Sequence, residues 1–151
     1  MKKFGRFLGY VILAMGVGLS SRLEAAEVRE KAEAEGKAVF YASMTTSDVK
    51  ALVDGFKQLY PKIDAQFYRT GDSQLMEKVM TEGRAGKPLW DVIAHTGFYG
   101  HLLKKRGMLE AYDSPERKFY RDAYKDPQAF WTSIYTTYAV FGYNTRLVPK
   151  A

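Results

Sequence analysis

The stretch from Gly36 to Ser73, GKAVFYASMTTSDVKALVDGFKQLYPKIDAQFYRTGDS, decides how this chain folds. It opens with KAVFYAS, a short β-branched and aromatic run that predicts a buried strand. In the next segment Val49, Leu52, Val53, Phe56, Leu59 and Tyr60 recur at helical spacing. Ser47 or Asp48 is placed to cap that helix and Pro61 to stop it. KIDAQFYR then places Ile63, Ala65 and Phe67 at alternate positions, the period of a second strand, and TGDS breaks it.

The same alternation continues outward. SQLMEKVMTEGRAG reads as a helix with Leu75, Met76, Val79 and Met80 on one face. LWDVIA reads as a third strand, HTG as a break, and FYGHLLKKRG as a short helix ended by Gly107. EVREKAEAEG predicts a helix ahead of the first strand. Strand and helix thus alternate in the order that gives parallel strands with right-handed crossovers. The expected fold is α/β, an open, mainly parallel sheet in three layers. Beyond Gly107, DSPERKFY predicts a short helix capped by Ser114 with Pro115 at its first position. KDPQAFW reads as a turn. WTSIYTTYAVFGYN reads as one or two further strands, with Val140, Phe141 and Tyr143 buried.

Composition narrows the chemistry. The chain has 151 residues, 46% of them hydrophobic and 26% charged, enough for one domain with a real core. It has no cysteine, which removes disulfides, thiolate catalysis and cysteine metal sites. The N-terminus combines Lys2, Lys3 and Arg6 with an apolar run from Phe7 to Leu19. Those 13 residues make a helix of only about 20 Å, too short for a hydrocarbon core of about 30 Å. Leu23 and Ala25 follow at the −3 and −1 positions of a cleavage after Ala25, so 1–25 reads as a secretory signal peptide. Lys2, Lys3, Arg6 and Arg22 against Glu24 hold +3 of the total +6 charge. The basic residues that remain are interleaved with acids, a solvated surface and not a nucleic-acid groove. No nucleic-acid partner and no cofactor is expected.

In an open α/β sheet, ligands bind beyond the carboxyl ends of the strands. Three strand-to-helix loops are predicted there: Ala42 to Asp48, Arg69 to Ser73, and Ala94 to Phe98. They supply the candidate ligand-binding residues Ser43, Thr45, Thr46, Gly71, Asp72, Ser73, Thr96 and Gly97. The free N–H groups at the helix starts favour oxygen-rich or anionic ligands. The same residue types are also those of ordinary helix caps and turns. Other motifs fail on spacing. GRAGKP lacks the hydroxyl residue and the spacing of a phosphate loop, because Pro88 follows the lysine. No serine sits in a nucleophile elbow. His95 and His101 are six residues apart, not the spacing of a helical zinc pair. No catalytic residue and no metal ligand is assigned.

The order of these pieces resembles the solute-binding proteins of ABC importers, in particular the ferric-iron branch and its thiamine, polyamine and phosphonate relatives. The resemblance rests on the strand, helix, LYP, strand and GDS order of Gly36–Ser73, on DVIAHTGFYGHLLKKRGMLEAYDSPE, and on KDPQAFWTSIYTTYAVFGYNTRLV. It covers Gly36 to Val148. It implies a type II periplasmic binding fold, with residues 26–144 as the N-terminal lobe and 145–151 as the start of a hinge and a second, truncated lobe. It also implies a periplasmic location, a small-molecule or metal-ion solute, and a membrane permease as partner, with no enzymatic activity. Iron-binding relatives carry adjacent tyrosines on the second lobe, and this chain has no Tyr-Tyr pair. Iron therefore stands as one solute among several. The alternative is a small exported α/β hydrolase-like enzyme. N-terminal sequencing of the exported protein is expected to begin at Ala26, and a mature start at Met1 in a membrane fraction would refute the signal-peptide reading.

Overall fold

A computed structural model describes residues 26–144 and 146–148 of the chain. The expected signal peptide lies outside the described residues, as does most of the expected hinge segment. The chain divides into two compact units between Thr96 and Gly97.

The first unit is a parallel sheet with a helix on each face. Helix α1 (residues 26–35) leads into strand β1 (Lys37–Ala42). Gly36 makes the turn between them with a φ of +70°, in the left-handed region that favours glycine. Helix α2 (Thr46–Leu59), strand β2 (Asp64–Arg69), helix α3 (Asp72–Arg84) and strand β3 (Val92–Ala94) follow. The strand order is β2-β1-β3, with β1 in the middle and both neighbours parallel to it. The third strand is shorter than LWDVIA predicted, because only Val92–Ala94 pair, opposite Phe40–Ala42. Just before β3, Asp91 grips β1 doubly. Its N–H donates to the Val39 carbonyl and its Oδ2 accepts the Val39 N–H at 2.7 Å.

The faces of β1 explain the layers. Phe40 and Ala42 point to one side, where they meet Val49, Val53 and Phe56 of α2, with Ala65 and Ala94 from the neighbouring strands. Val49 is fully buried, as the helical spacing required, whereas Leu52 and Leu59 at the margins of the stripe stay exposed. The other side carries Tyr41, which sits against Tyr68 at a centroid distance of 5.2 Å. Lys78 of α3 lies over both rings, and Glu82 of α3 accepts the Tyr41 hydroxyl at 3.0 Å. Leu75, Met76 and Val79 complete the buried stripe of α3. The cap of α2 differs from the expectation of Ser47 or Asp48. It is Thr45, whose hydroxyl accepts the Asp48 N–H, because the chain leaves the extended conformation two to three residues earlier. Helix α3 ends at a glycine turn: Gly86 has φ +65° and the Lys87 N–H reaches back to the Glu82 carbonyl.

The second unit begins with helix α4 (Gly97–Lys105), which Gly107 ends with φ +65° and a Met108 N–H bonded to the Leu103 carbonyl. Two 3-10 turns follow, Pro115–Phe119 and Asp122–Tyr124. Ser114 caps the first and Pro115 opens it, as the sequence predicted. Arg117, which pattern alone would place in solvent, is only 8% exposed. Its guanidinium donates to Asp113 Oδ1, to the Trp131 carbonyl, to Thr132 Oγ1 and to the Asp126 carbonyl. Asp126 is buried as well. One of its oxygens takes Lys104 Nζ at 2.6 Å, and the other takes the N–H groups of Gln128 and Phe130. These two side chains hold the KDPQAFW turn through charge-assisted hydrogen bonds, while the Trp131 indole N–H stays buried without a hydrogen-bond partner among the described residues.

The strands predicted within WTSIYTTYAVFGYN do not form. Among the described residues, this segment contributes one isolated antiparallel bridge, Lys125 to Thr132, and no strand. Val140 is 84% exposed and Phe141 fully so, which reverses the expected burial. The residues have the propensity, but a strand is stable only against a neighbour, and the described residues of this unit offer none.

The Glu82 contact sets a pH dependence. Burial opposes the Glu82 charge, but Lys78, the Leu89 N–H and the Tyr41 hydroxyl together outweigh burial and hold its carboxyl below the usual range. A depressed carboxyl stabilises the fold above the ordinary glutamate value of 4.5, and that contribution is lost as the pH falls through the folded-state value. Glu82→Gln is therefore expected to be less stable than the wild type at neutral pH and to lose less stability between pH 6 and pH 3. Parallel acid profiles of the two proteins in urea unfolding would refute the assignment.

Candidate functional site

The candidate site is built by the direction of the strands. Because β1, β2 and β3 run parallel, their carboxyl ends fall on one edge of the sheet. The loops that leave that edge are joined pairwise. The Ser43 N–H donates to the Ala94 carbonyl at 3.0 Å, which ties the first loop to the end of β3. The Thr70 N–H donates to the Ala42 carbonyl at 3.3 Å, and Arg69 Nε donates to the Met44 carbonyl at 2.9 Å, which tie the second loop to the first. The Thr96 N–H donates to Asp72 Oδ1 at 3.4 Å, which ties the third loop to the second.

Seven of the eight sequence-predicted residues thus share this edge: Ser43, Thr45, Thr46, Gly71, Asp72, Ser73 and Thr96. Gly97 opens α4 and belongs to the second unit. Their local duties differ. Thr45 is spent on the cap of α2: besides accepting the Asp48 N–H, its hydroxyl donates to Asp48 Oδ2 at 2.6 Å. Ser43 is half-buried and its hydroxyl lies 3.5 Å from the Ala94 carbonyl, a contact too long to hold it firmly. Thr46 and Ser73 stand exposed in the first turns of α2 and α3. Helix α3 starts at Gly71 with no side chain capping it, so its first N–H groups are turned to the edge without a partner side chain. A Cβ on Gly71 would meet only the flexible end of Gln74, at 2.6 Å.

Arg69 is the residue the sequence reading left out of the site. It ends β2, in register with Ala42, and its guanidinium reaches up to the first loop. Its Nε is engaged and its terminal nitrogens have no protein partner among the described residues. The signal was present in the sequence, since Arg69 heads the TGDS break, but its side-chain direction depends on the pairing with β1. His95, at the end of β3, keeps its Nδ1 2.9 Å from the Thr96 carbonyl. Among the described residues, no group of three or more histidine, aspartate or glutamate side chains could hold a metal ion. The edge therefore offers hydroxyls, amide N–H groups and one guanidinium, a donor-rich surface suited to oxygen atoms of a ligand.

No protein-family model matches the chain, and the comparison with curated proteins found no match. Solved structures do match. Iron-bound HitA from Pseudomonas aeruginosa superposes with a TM-score of 0.52 and 20% identity, over 62% of this chain and 30% of that one. IdiA (FutA) of Trichodesmium, in complex with iron and citrate ligands, superposes with a TM-score of 0.52 and 20% identity, over 64% of this chain and 30% of its own. At that identity the likeness speaks for the fold. The fold is the open parallel α/β sheet of a type II periplasmic binding protein, over an extent of about one lobe. The chain spans about 30% of the length of these two proteins.

Arg69→Ala is expected to cost about 1 kcal/mol in urea unfolding, the ordinary net value of a partly exposed hydrogen bond. Amide exchange from Ser43 to Ser47 should quicken while that of α3 stays unchanged. Unaltered exchange in the first loop would show that Arg69 does not hold it.

Proposed function

We propose that the chain is an exported solute-binding component of an ABC importer, and that it presents a small polar or anionic solute, or ferric iron, to a membrane permease. The observation that carries this reading is the strand edge itself. Three loops, tied to one another by hydrogen bonds, display hydroxyls, helix-start N–H groups and the Arg69 guanidinium at the place where open parallel sheets bind ligands. The fold that carries this edge is shared with HitA, solved with iron, and with IdiA (FutA), solved with iron and citrate.

The edge acts as one wall of a clamp. In the two-walled arrangement, closure surrounds the solute and removes it from water. One wall alone supplies about half of the contacts, and a loss of about 4 kcal/mol weakens binding roughly a thousandfold. The donors present suit an iron cargo that brings its own oxygen ligands better than a bare ion, because the nearby carboxylates are already engaged: Asp48 by Thr45 and Asp72 by the Thr96 N–H. The proposed periplasmic location rests on the N-terminal signal pattern. Among the described residues no helix is long and apolar enough to cross a membrane.

Amide-resolved NMR titration of the purified chain with ferric citrate, a gallium citrate analogue, spermidine, thiamine and a phosphonate tests the reading. One of these is expected to shift the amides of Ser43, Thr46, Ser73 and Thr96, saturating in the sub-millimolar range. Shifts confined to other parts of the chain, or none with any of the five, would refute it.

A further inference from the structure

Arg69 is aimed at the strand edge and left without a counter-charge. It ends β2 in register with Ala42, and its Nε donates to the Met44 carbonyl at 2.9 Å. That bond fixes the plane of an otherwise exposed guanidinium. Its terminal nitrogens, the outer donor fork, have no partner among the described residues. Two carboxylates lie on the same edge, Asp48 and Asp72, and neither pairs with it. Each gives an oxygen to a neutral donor instead, Asp48 to the Thr45 hydroxyl and Asp72 to the Thr96 N–H. Both also sit in the first turn of a helix, whose positive end offsets a carboxylate. Arg69 ends a strand, which has only a small dipole to offset its charge.

We propose that Arg69 selects the solute: its terminal nitrogens receive a carboxylate, phosphate or phosphonate group, so that the edge takes solutes with an anionic oxygen group and rejects polyamines. The inference rests on the reading of this edge as the solute site. Geometry argues for a paired contact. With Nε held by Met44, the guanidinium meets an oxyanion through its outer side, where two parallel hydrogen bonds form at once. Because the fork is already oriented, less side-chain freedom is lost on binding. Neighbouring donors complete the contact. The Thr46 and Ser73 hydroxyls are exposed, and the first N–H groups of α3 carry no side-chain cap. A polyamine meets the reverse. Its ammonium groups need acceptors, and the carboxylates on offer are already shared with protein donors, on an edge that carries the Arg69 charge.

Nitrogen-resolved NMR of the backbone amides and of the Arg69 guanidinium tests this on the purified chain, with metal-free citrate, methylphosphonate and spermidine as probes. Citrate or methylphosphonate is expected to shift the amides of Thr46 and Ser73 together with the Arg69 terminal nitrogens, and spermidine to shift none of them. Arg69→Gln is expected to weaken anion binding at least roughly tenfold. Arg69→Lys, which keeps the charge but not the fork, should fall between that variant and the wild type. Arg69 is exposed, so circular dichroism should show both variants folded. The guanidinium signal separates contact from support, since an arginine that only props the first loop keeps its terminal nitrogens unchanged on titration. Anion binding that leaves those nitrogens unmoved, or that Arg69→Gln leaves at full strength, would overturn the inference while the edge kept its role as a solute site. So would a preference for spermidine. If no probe reaches the edge, the reading of the edge and the inference fall together.

Discussion

Strand β1 is the element on which the first unit depends. It is paired on both sides, so β2 and β3 take their direction and register from it. Tyr41 and Ala42 at its end are almost fully buried, one facing α3 and the other α2. The alternation of side chains along a strand thus does two jobs within consecutive residues. It feeds the aliphatic layer beneath α2 through Ala42, and the aromatic and charged layer beneath α3 through Tyr41. Ser43, the residue after them, is the first point of the strand-edge site. A register slip of one residue would exchange the two faces and move the site with them.

The second unit is ordered by charge where the first is ordered by packing. Its described elements are short, and the only fully buried large aliphatic side chain among them is Leu103. Arg117 and Asp126 take the place of a larger core. Between them they bond Asp113, Lys104, the Trp131 and Asp126 carbonyls, and the N–H groups of Gln128 and Phe130. A guanidinium can satisfy several carbonyls at once because its donors are fixed in a planar fork, which suits it to a turn whose backbone has no ladder to join. Removing either partner leaves buried polar groups unpaired, so the unit is expected to tolerate change at this pair poorly.

Much of the fold was legible beforehand, for identifiable reasons. Helix α2 announced itself through Val49, Val53 and Phe56, and its stop through Pro61. The parallel order followed from alternation of strand and helix. Seven of the eight candidate residues share one edge because parallel strands put every strand-to-helix loop on the same side. What those residues do individually was less visible. Thr45 and Ser47 carry the same capping chemistry in a sequence, and only the point where the backbone turns chooses between them. Arg69 looked like a strand residue, and its reach to Met44 exists only because Ala42 is its partner in the ladder.

The sequence by itself determined the local periods: which segments are helical, which alternate, where glycine and proline end them, and hence an open parallel sheet with its loops on one edge. Those properties are carried by neighbours within a few residues, so they survive without knowledge of the rest. Tertiary structure alone decided the burial of Arg117, the anchoring of Arg69, and the fate of the Ile134–Tyr143 segment. Each depends on a group far away in the chain or on the lack of one. The last case shows the physical reason most plainly. β-propensity describes how well a residue suits a pleated surface, but the hydrogen bonds that make a strand belong to its neighbour, and no residue can supply its own.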